Sequence, residues 1–105
     1  MDGRKRARLE SAGWKVGDAA EFLDLTSAER ELVAMRLALG RSLKAQRQKK
    51  HLTQSALAKR LGSSQSRVAK MEGGDASVTL DLLLQGLLAL DATRKDVAKV
   101  LAGAA

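Results

Sequence analysis

The 105-residue sequence contains no cysteine and only one histidine, His51. Without cysteine the chain cannot form a disulfide, a thiol nucleophile or a cysteine-ligated zinc site. A single histidine also argues against a metal site built from several histidines. The sequence therefore predicts neither a metal nor a cofactor.

The chain also lacks proline, and its only aromatic residues are Trp14 and Phe22. The hydrophobic content of 45% is enough for one small core. Because aromatic residues are so few, this core must be aliphatic. Abundant Ala, Leu, Lys, Arg and Glu favour helices. No segment alternates polar and apolar residues, so no strand is expected. The predicted fold class is all-α.

Long apolar runs are missing too. No run approaches the roughly 20 residues of a membrane span, and even "LVAMRLALG" is interrupted by Arg36. The start, "MDGRKRARLES", is basic but is not followed by the apolar stretch of a secretory signal. We therefore expect a cytoplasmic location.

Enzymatic residues are equally scarce. The acids are spread through the flanks without a pair on one helix face, and the chain has no phosphate-binding or dinucleotide-binding glycine pattern. The sequence therefore predicts a protein that is not an enzyme.

Positive charge is concentrated in the middle of the chain. The net charge is +7, yet residues 41–70 contain nine cations and no acid. The segments 14–40 and 71–105 each carry three cations and five acids. A block of one sign within a structured region is typical of a surface that binds a polyanion. The alternative is a basic face that arose by chance.

Five helix starts can be located from N-cap residues. Thr26 with Glu29, and Thr93 with Asp96, have the spacing of a capping box. Thr53, Ser64 and Thr79 are the other N-cap candidates. The apolar residues that follow these caps at helical spacing are Leu32, Met35, Leu39 and Leu43; Leu57 and Leu61; Val68 and Met71; Leu80, Leu83, Leu84, Leu87 and Leu88; and Val97, Val100 and Leu101.

The first of these helices is predicted to run to about Lys50, and the next two to end at Gly62 and Gly73. Gly40 lies inside the first helix, where glycine costs about 1 kcal/mol relative to alanine. It is therefore interpreted as a weak point. Asp18 caps a predicted short helix that precedes these five.

The segment "LTQSALAKRLGSSQSRVAKMEGG" joins two short helices at "LGSS". Ala58 is small enough for the second helix to cross closely, and Gly62 readily adopts the positive φ that the turn requires. This is the geometry of a helix-turn-helix.

This segment resembles the signature of the lambda-repressor-like, or XRE-type, DNA-binding family. The resemblance covers roughly residues 30–103, and Ser63 departs from it because the family more often has an apolar residue there. The matching positions are Leu52, Thr53, Gln54, Leu57, Ala58, Gly62, Ser64, Gln65, Ser66, Val68, Met71, Glu72 and Gly74.

The resemblance implies that the second helix of the motif enters the major groove of double-stranded DNA. Its base-contacting residues would be Gln65, Ser66, Arg67 and Lys70, with glutamine suited to adenine and arginine to guanine. Phosphate contacts, which fix the register, would come from Gln54, Ser64, Arg47 and Lys59. The alternatives are exposed helix-start amides for the two glutamines, a simple N-cap for Ser64, and solvated charge for Arg47 and Lys59.

The segment "GWKVGDAAEFLDLTSAERELVAMRLALG" is similar to the N-terminal extension of HigA-type antitoxins. That similarity implies a protein that neutralises a RelE/HigB-like mRNA-cleaving toxin and represses its own operon. Trp14 and Phe22 would contact the toxin, or would instead dock the extension on the helical core. A free-standing repressor and a coactivator-like protein-interaction module are also consistent with the sequence.

The resulting interpretation is a five-helix lambda-repressor-like domain at residues 30–105, an extension with a short helix at 14–29 and a flexible basic tail at 1–13. One such domain covers half of a site, so a homodimer on a palindromic operator is expected, with half-sites roughly 34–36 Å apart. The dimer surface is either the last helix or the N-terminal helix.

Overall fold

The structure is a computed structural model that describes residues 25–104. In these residues the chain forms five helices and no strand: α1 (Ser27–Lys49), α2 (Gln54–Leu61), α3 (Gln65–Glu72), α4 (Leu80–Ala89) and α5 (Arg94–Ala102). The all-α prediction is confirmed. The predicted basic tail, the short helix after Asp18, Trp14 and Phe22 lie outside the described residues.

Each helix begins directly after its predicted N-cap. The side chains of Thr53, Ser64 and Thr79 each accept a hydrogen bond from the backbone N–H three residues later. Both predicted capping boxes are present: the Thr26 N–H donates to Glu29 Oε1 at 2.8 Å, and the Thr93 N–H donates to Asp96 Oδ2 at 2.8 Å. Because these bonds satisfy N–H groups that the helix leaves unpaired, they fix where each helix starts.

Helix α1 packs against α3, α4 and α5, whereas α2 packs against α3 and α4. Burying an aliphatic side chain of this kind contributes about 1.5–3 kcal/mol, so the core is the main source of stability. The most completely buried side chains are Leu39, Leu43, Leu57, Val68, Met71, Leu83, Leu87 and Leu90.

Two leucines of the predicted apolar stripes are not in the core. Leu32 is 41% exposed and Leu88 is 52% exposed. Leu32 lies near the start of the 23-residue helix α1, and Leu88 lies near the end of α4. The helical period therefore identified the correct face of α1 but overestimated how much of that face is covered.

The interpretation of Gly40 as a weak point of α1 was wrong. A Cβ atom at this position would lie 2.6 Å from the carbonyl oxygen of Met71 and 2.8 Å from that of Glu72. Helix α1 therefore crosses the last turn of α3 so closely that only glycine fits. The same crossing brings α1 and α3 near enough for Arg47 and Glu72 to meet.

Helix α1 begins at Ser27 and continues without interruption through residues 29 and 30, where the domain boundary was predicted. The domain division stays a prediction. The N-terminal half of α1 also contacts the rest of the domain, because Arg36 Nε donates a hydrogen bond to the Val78 carbonyl at 3.0 Å.

Candidate nucleic-acid interface

Helices α2 and α3 are joined by a tight turn centred on Gly62. Gly62 has a φ of 62°, in the left-handed region, and its N–H bonds the Ala58 and Lys59 carbonyls. The Ser63 N–H donates to the Ala58 carbonyl at 2.8 Å. Ala58 is only 4% exposed, as expected for the residue at the helix crossing. The two helices therefore have the predicted helix-turn-helix arrangement.

Helix α3 divides its residues between the core and the surface. Val68 and Met71 are fully buried. The four predicted base-contacting residues, Gln65, Ser66, Arg67 and Lys70, are all exposed. Ser66, Arg67 and Lys70 share one face because Lys70 lies four and three residues after the other two, and Gln65 is exposed beside them as the first residue of the helix. We call these four residues the α3 face.

Positive charge surrounds the α3 face. Arg67 and Lys70 lie on it, and Lys59 and Arg60 are exposed on the last turn of α2. Within residues 25–104, none of these four cations makes a salt bridge. Such exposed cations attract a polyanion over about 8–10 Å at physiological ionic strength.

The loop after α3 forms one wall of a groove beside this face. The groove has a volume of about 300 Å³ and is lined by Ser64, Ser66, Arg67, Lys70, Ser77 and Val78. Sequence reasoning did not identify Ser77. The spacing of Asp75 and Ser77 could have indicated it, because an aspartate that bonds a residue two positions on is typical of a turn.

Asp75 holds this loop in place. Burial raises the pKa of its carboxyl, but hydrogen bonds from the side chain and backbone of Ser77, with the charges of Lys70 and Arg36, lower the pKa overall. The Ser77 hydroxyl donates to Asp75 Oδ1 at 2.7 Å, and the Ser77 N–H donates at 2.8 Å. Asp75 is therefore ionised at neutral pH and fixes Ser77 at the edge of the groove.

The two glutamines at the helix starts are bonded to each other. Gln65 Nε2 donates to Gln54 Oε1 at 2.6 Å, and Gln54 Nε2 donates to Glu72 Oε1 at 3.0 Å. Gln65 is exposed, whereas Gln54 is half-buried. The structure thus brings together the predicted base-reading amide and the predicted phosphate-binding amide.

Glu72 and Arg47 form the buried end of this chain of bonds. The guanidinium of Arg47 donates through Nε to Glu72 Oε2 and through Nη2 to Glu72 Oε1 at 3.1 Å. Its Nη1 donates to the Leu52 carbonyl at 2.8 Å. The two side chains are 11% and 4% exposed. Hydrogen bonding to Glu72 raises the pKa of Arg47, although burial acts against it.

This position distinguishes Arg47 from the other predicted phosphate-binding residues. Each of its three nitrogens donates a hydrogen bond inside the protein and the side chain is only 11% exposed, so its phosphate contact stays a prediction that this geometry disfavours. Lys59 and Ser64 are exposed. Ser64 Oγ accepts from the Arg67 N–H at 3.2 Å, so it acts as the expected N-cap.

No group of three or more His, Cys, Asp or Glu side chains in residues 25–104 is placed to hold a metal ion. Among the same residues, no helix has both the length and the apolar composition needed to cross a lipid bilayer.

Comparison with known proteins agrees with this geometry. A family model described as helix-turn-helix matches residues 43–91, which include α2, the turn, α3 and α4. No curated protein and no solved structure matches the chain significantly. The matched region begins at Leu43, so the first sixteen residues of α1 precede it.

Proposed function

Since residues 43–91 belong to the XRE, or lambda-repressor-like, family of helix-turn-helix DNA-binding transcription regulators, we propose that this protein is a sequence-specific repressor. It binds double-stranded DNA as a homodimer. The observation that carries the proposal is the α3 face, on which Gln65, Ser66, Arg67 and Lys70 stand exposed while Val68 and Met71 anchor the helix in the core.

The chemistry of this face suits the major groove. Glutamine and arginine each bond two atoms of a base edge, and each good pair is worth about 1–3 kcal/mol of discrimination. The free N–H groups at the starts of α2 and α3 are suited to phosphates that flank the groove. Ser64 and Lys59 supply further donors for phosphate, so register and sequence reading come from adjacent surfaces.

Selection from a library of randomised DNA duplexes tests this proposal and yields the operator sequence itself. We expect a palindromic motif whose half-sites lie about one helical turn apart, since a dimer presents two α3 helices. Fluorescence anisotropy should then show at least hundredfold tighter binding to the selected duplex than to a scrambled one, in line with the ~10³–10⁷ range of specific regulators.

Variants identify the side chains that read the sequence. Gln65→Ala and Arg67→Ala should each reduce the ratio of selected to scrambled affinity by roughly 30-fold or more, because each removes a base contact of about 1–3 kcal/mol from both subunits of the dimer. Lys59→Ala should weaken binding to both duplexes alike and reduce the salt slope of the dimer by about two, one for each subunit. Unchanged discrimination in both α3 variants would show that the α3 face does not read bases.

The antitoxin role is the finer part of the proposal. It is supported by the similarity of the segment before α1 to HigA-type extensions, and by an apolar groove of about 150 Å³ at the N-terminal half of α1. The residues that line this groove are Leu25, Glu29, Leu32, Val33, Arg36, Gly74 and Ala76. A toxin partner would cover Leu32, which is 41% exposed.

Co-expression with a RelE/HigB-like protein encoded beside this chain tests the role. We expect a stable complex, loss of the toxin's growth inhibition, and loss of both effects in Leu32→Lys. Leu88→Lys is the matched control, since Leu88 is also an exposed leucine, at 52%, but lies on α4. Absence of such a neighbouring gene, or growth inhibition that persists with wild-type protein, would favour a free-standing repressor.

A further inference from the structure

We propose that Glu72, a buried residue with no access to DNA, determines which base Gln65 selects by fixing the orientation of two side-chain amides. The inference rests on the proposed function, since it concerns how the α3 face reads sequence. It assigns Glu72 a positioning role in addition to its ion pair with Arg47.

The first step is the chemistry of the Glu72 side chain. It is 4% exposed, and both of its carboxyl oxygens accept hydrogen bonds from the guanidinium of Arg47. A carboxylate has no proton and only accepts hydrogen bonds. Gln54 lies 3.0 Å from Glu72 Oε1 and must therefore turn its amino group, not its carbonyl, toward Glu72.

The second step follows from the first. Because the amino group of Gln54 faces Glu72, its Oε1 faces Gln65. The amino group of Gln65 donates a hydrogen bond to this oxygen, at an Nε2 to Oε1 distance of 2.6 Å. A reversed Gln65 would place two carbonyl oxygens against each other. The reversal becomes favourable only if Gln54 also reverses, which would put its oxygen against the carboxylate.

The third step is what Gln65 presents to the groove. One N–H of its amino group is used by Gln54, so one N–H and the carbonyl oxygen remain. Adenine offers one acceptor, N7, and one donor, the N6 amino group. The remaining N–H of Gln65 can donate to N7 while its carbonyl oxygen accepts from N6. Guanine offers two acceptors, N7 and O6, which would require the free amino group of a reversed Gln65. The orientation set by Glu72 therefore favours adenine over guanine.

Glu72→Gln tests the inference directly, because it keeps the size of the side chain but can offer either a donor or an acceptor to Gln54. The base pair read by residue 65 is first identified as the position of the selected motif that loses information in Gln65→Ala. At that position we expect Glu72→Gln to reduce the preference for adenine over guanine roughly tenfold, within the range of one bidentate contact. The other positions of the motif should keep their preferences.

Two further variants separate amide orientation from stability. Arg47→Lys keeps a hydrogen-bond donating cation beside Glu72, so the adenine preference should survive even where the melting temperature falls. Gln54→Met removes the link between Glu72 and Gln65 while leaving the ion pair intact, so it should lower the adenine preference as Glu72→Gln does. Circular dichroism melting establishes that each variant is folded at the assay temperature.

Three results would overturn the inference. These are a folded Glu72→Gln protein with wild-type adenine preference, an Arg47→Lys protein that loses as much preference as Glu72→Gln, or a Gln54→Met protein that keeps it. Where Glu72→Gln does not fold, Gln54→Met decides. If the wild-type protein selects no motif at all, the proposed function itself fails, which is a distinct outcome.

Discussion

Arg47→Met alone should lower the free energy of unfolding by about 3–5 kcal/mol, because it leaves the Glu72 carboxylate buried without its cation. Glu72 is 4% exposed, and Arg47 supplies two of the three donors that bond it. Arg47 also donates to the Leu52 carbonyl in the loop before α2. Loss of the guanidinium thus affects α1, the loop and α3 together. Urea denaturation followed by circular dichroism gives the measurement.

The double variant Arg47→Met with Glu72→Leu should be much less destabilised than Arg47→Met alone. Removing both charges replaces a costly desolvated pair with apolar contacts, which is often neutral or stabilising. Lys50→Met is the matched control, because Lys50 bonds Asp91 at 3.0 Å but the Asp91 side chain is 83% exposed. That exposed pair should contribute little to stability, because solvent and salt screen it. Equal losses for Arg47→Met and Lys50→Met would contradict the account of a buried network.

The helix starts could be predicted from the sequence because their determinants are local. Thr26 with Glu29, and Thr93 with Asp96, lie three residues apart, and each pair exchanges two hydrogen bonds. The positive φ at Gly62 is likewise a property of one residue in a short turn. The exposed residues of α3 can be predicted from the helical period once Val68 and Met71 are assigned to the core. None of these features depends on distant contacts.

The network behind the α3 face could not be predicted in this way. Arg47 and Glu72 are 25 residues apart, and Gln54 and Glu72 are 18 apart. The meeting of Arg47 and Glu72 depends on how closely α1 crosses α3, and that of Gln54 and Glu72 depends on how α2 packs against α3. No spacing rule reveals either packing. In the sequence, Arg47 is one of nine cations in a basic block, and a phosphate contact is the natural prediction for it. Only the packed structure separates this buried cation from those at the surface.

The same limit applies to the apolar stripes. Helical period shows that Leu32 and Leu39 share a face of α1, but it does not show how far the neighbouring helices reach along it. Leu39 is 1% exposed because the bundle covers it, whereas Leu32 is 41% exposed. An apolar stripe in the sequence therefore does not distinguish a residue of the core from a surface residue that another molecule could cover.

Gly40→Ala should lower the free energy of unfolding by about 1–3 kcal/mol, the range for forcing extra atoms into a packed site. Helix propensity alone predicts the opposite, a gain of about 1 kcal/mol. The added methyl group would lie 2.6 Å from the Met71 carbonyl oxygen and 2.8 Å from that of Glu72, and neither backbone group can move without shifting the end of α3. Gly73→Ala is the control. The φ of Gly73 is −82°, and an added Cβ atom would lie 3.4 Å from its nearest neighbour, so this substitution should be neutral or stabilising by up to about 1 kcal/mol.

Because α1 would have to move away from the last turn of α3, which carries Glu72, Gly40→Ala should also weaken the preference for the selected duplex. A stabilised Gly40→Ala protein in thermal melting would show that α1 and α3 do not cross as closely as described.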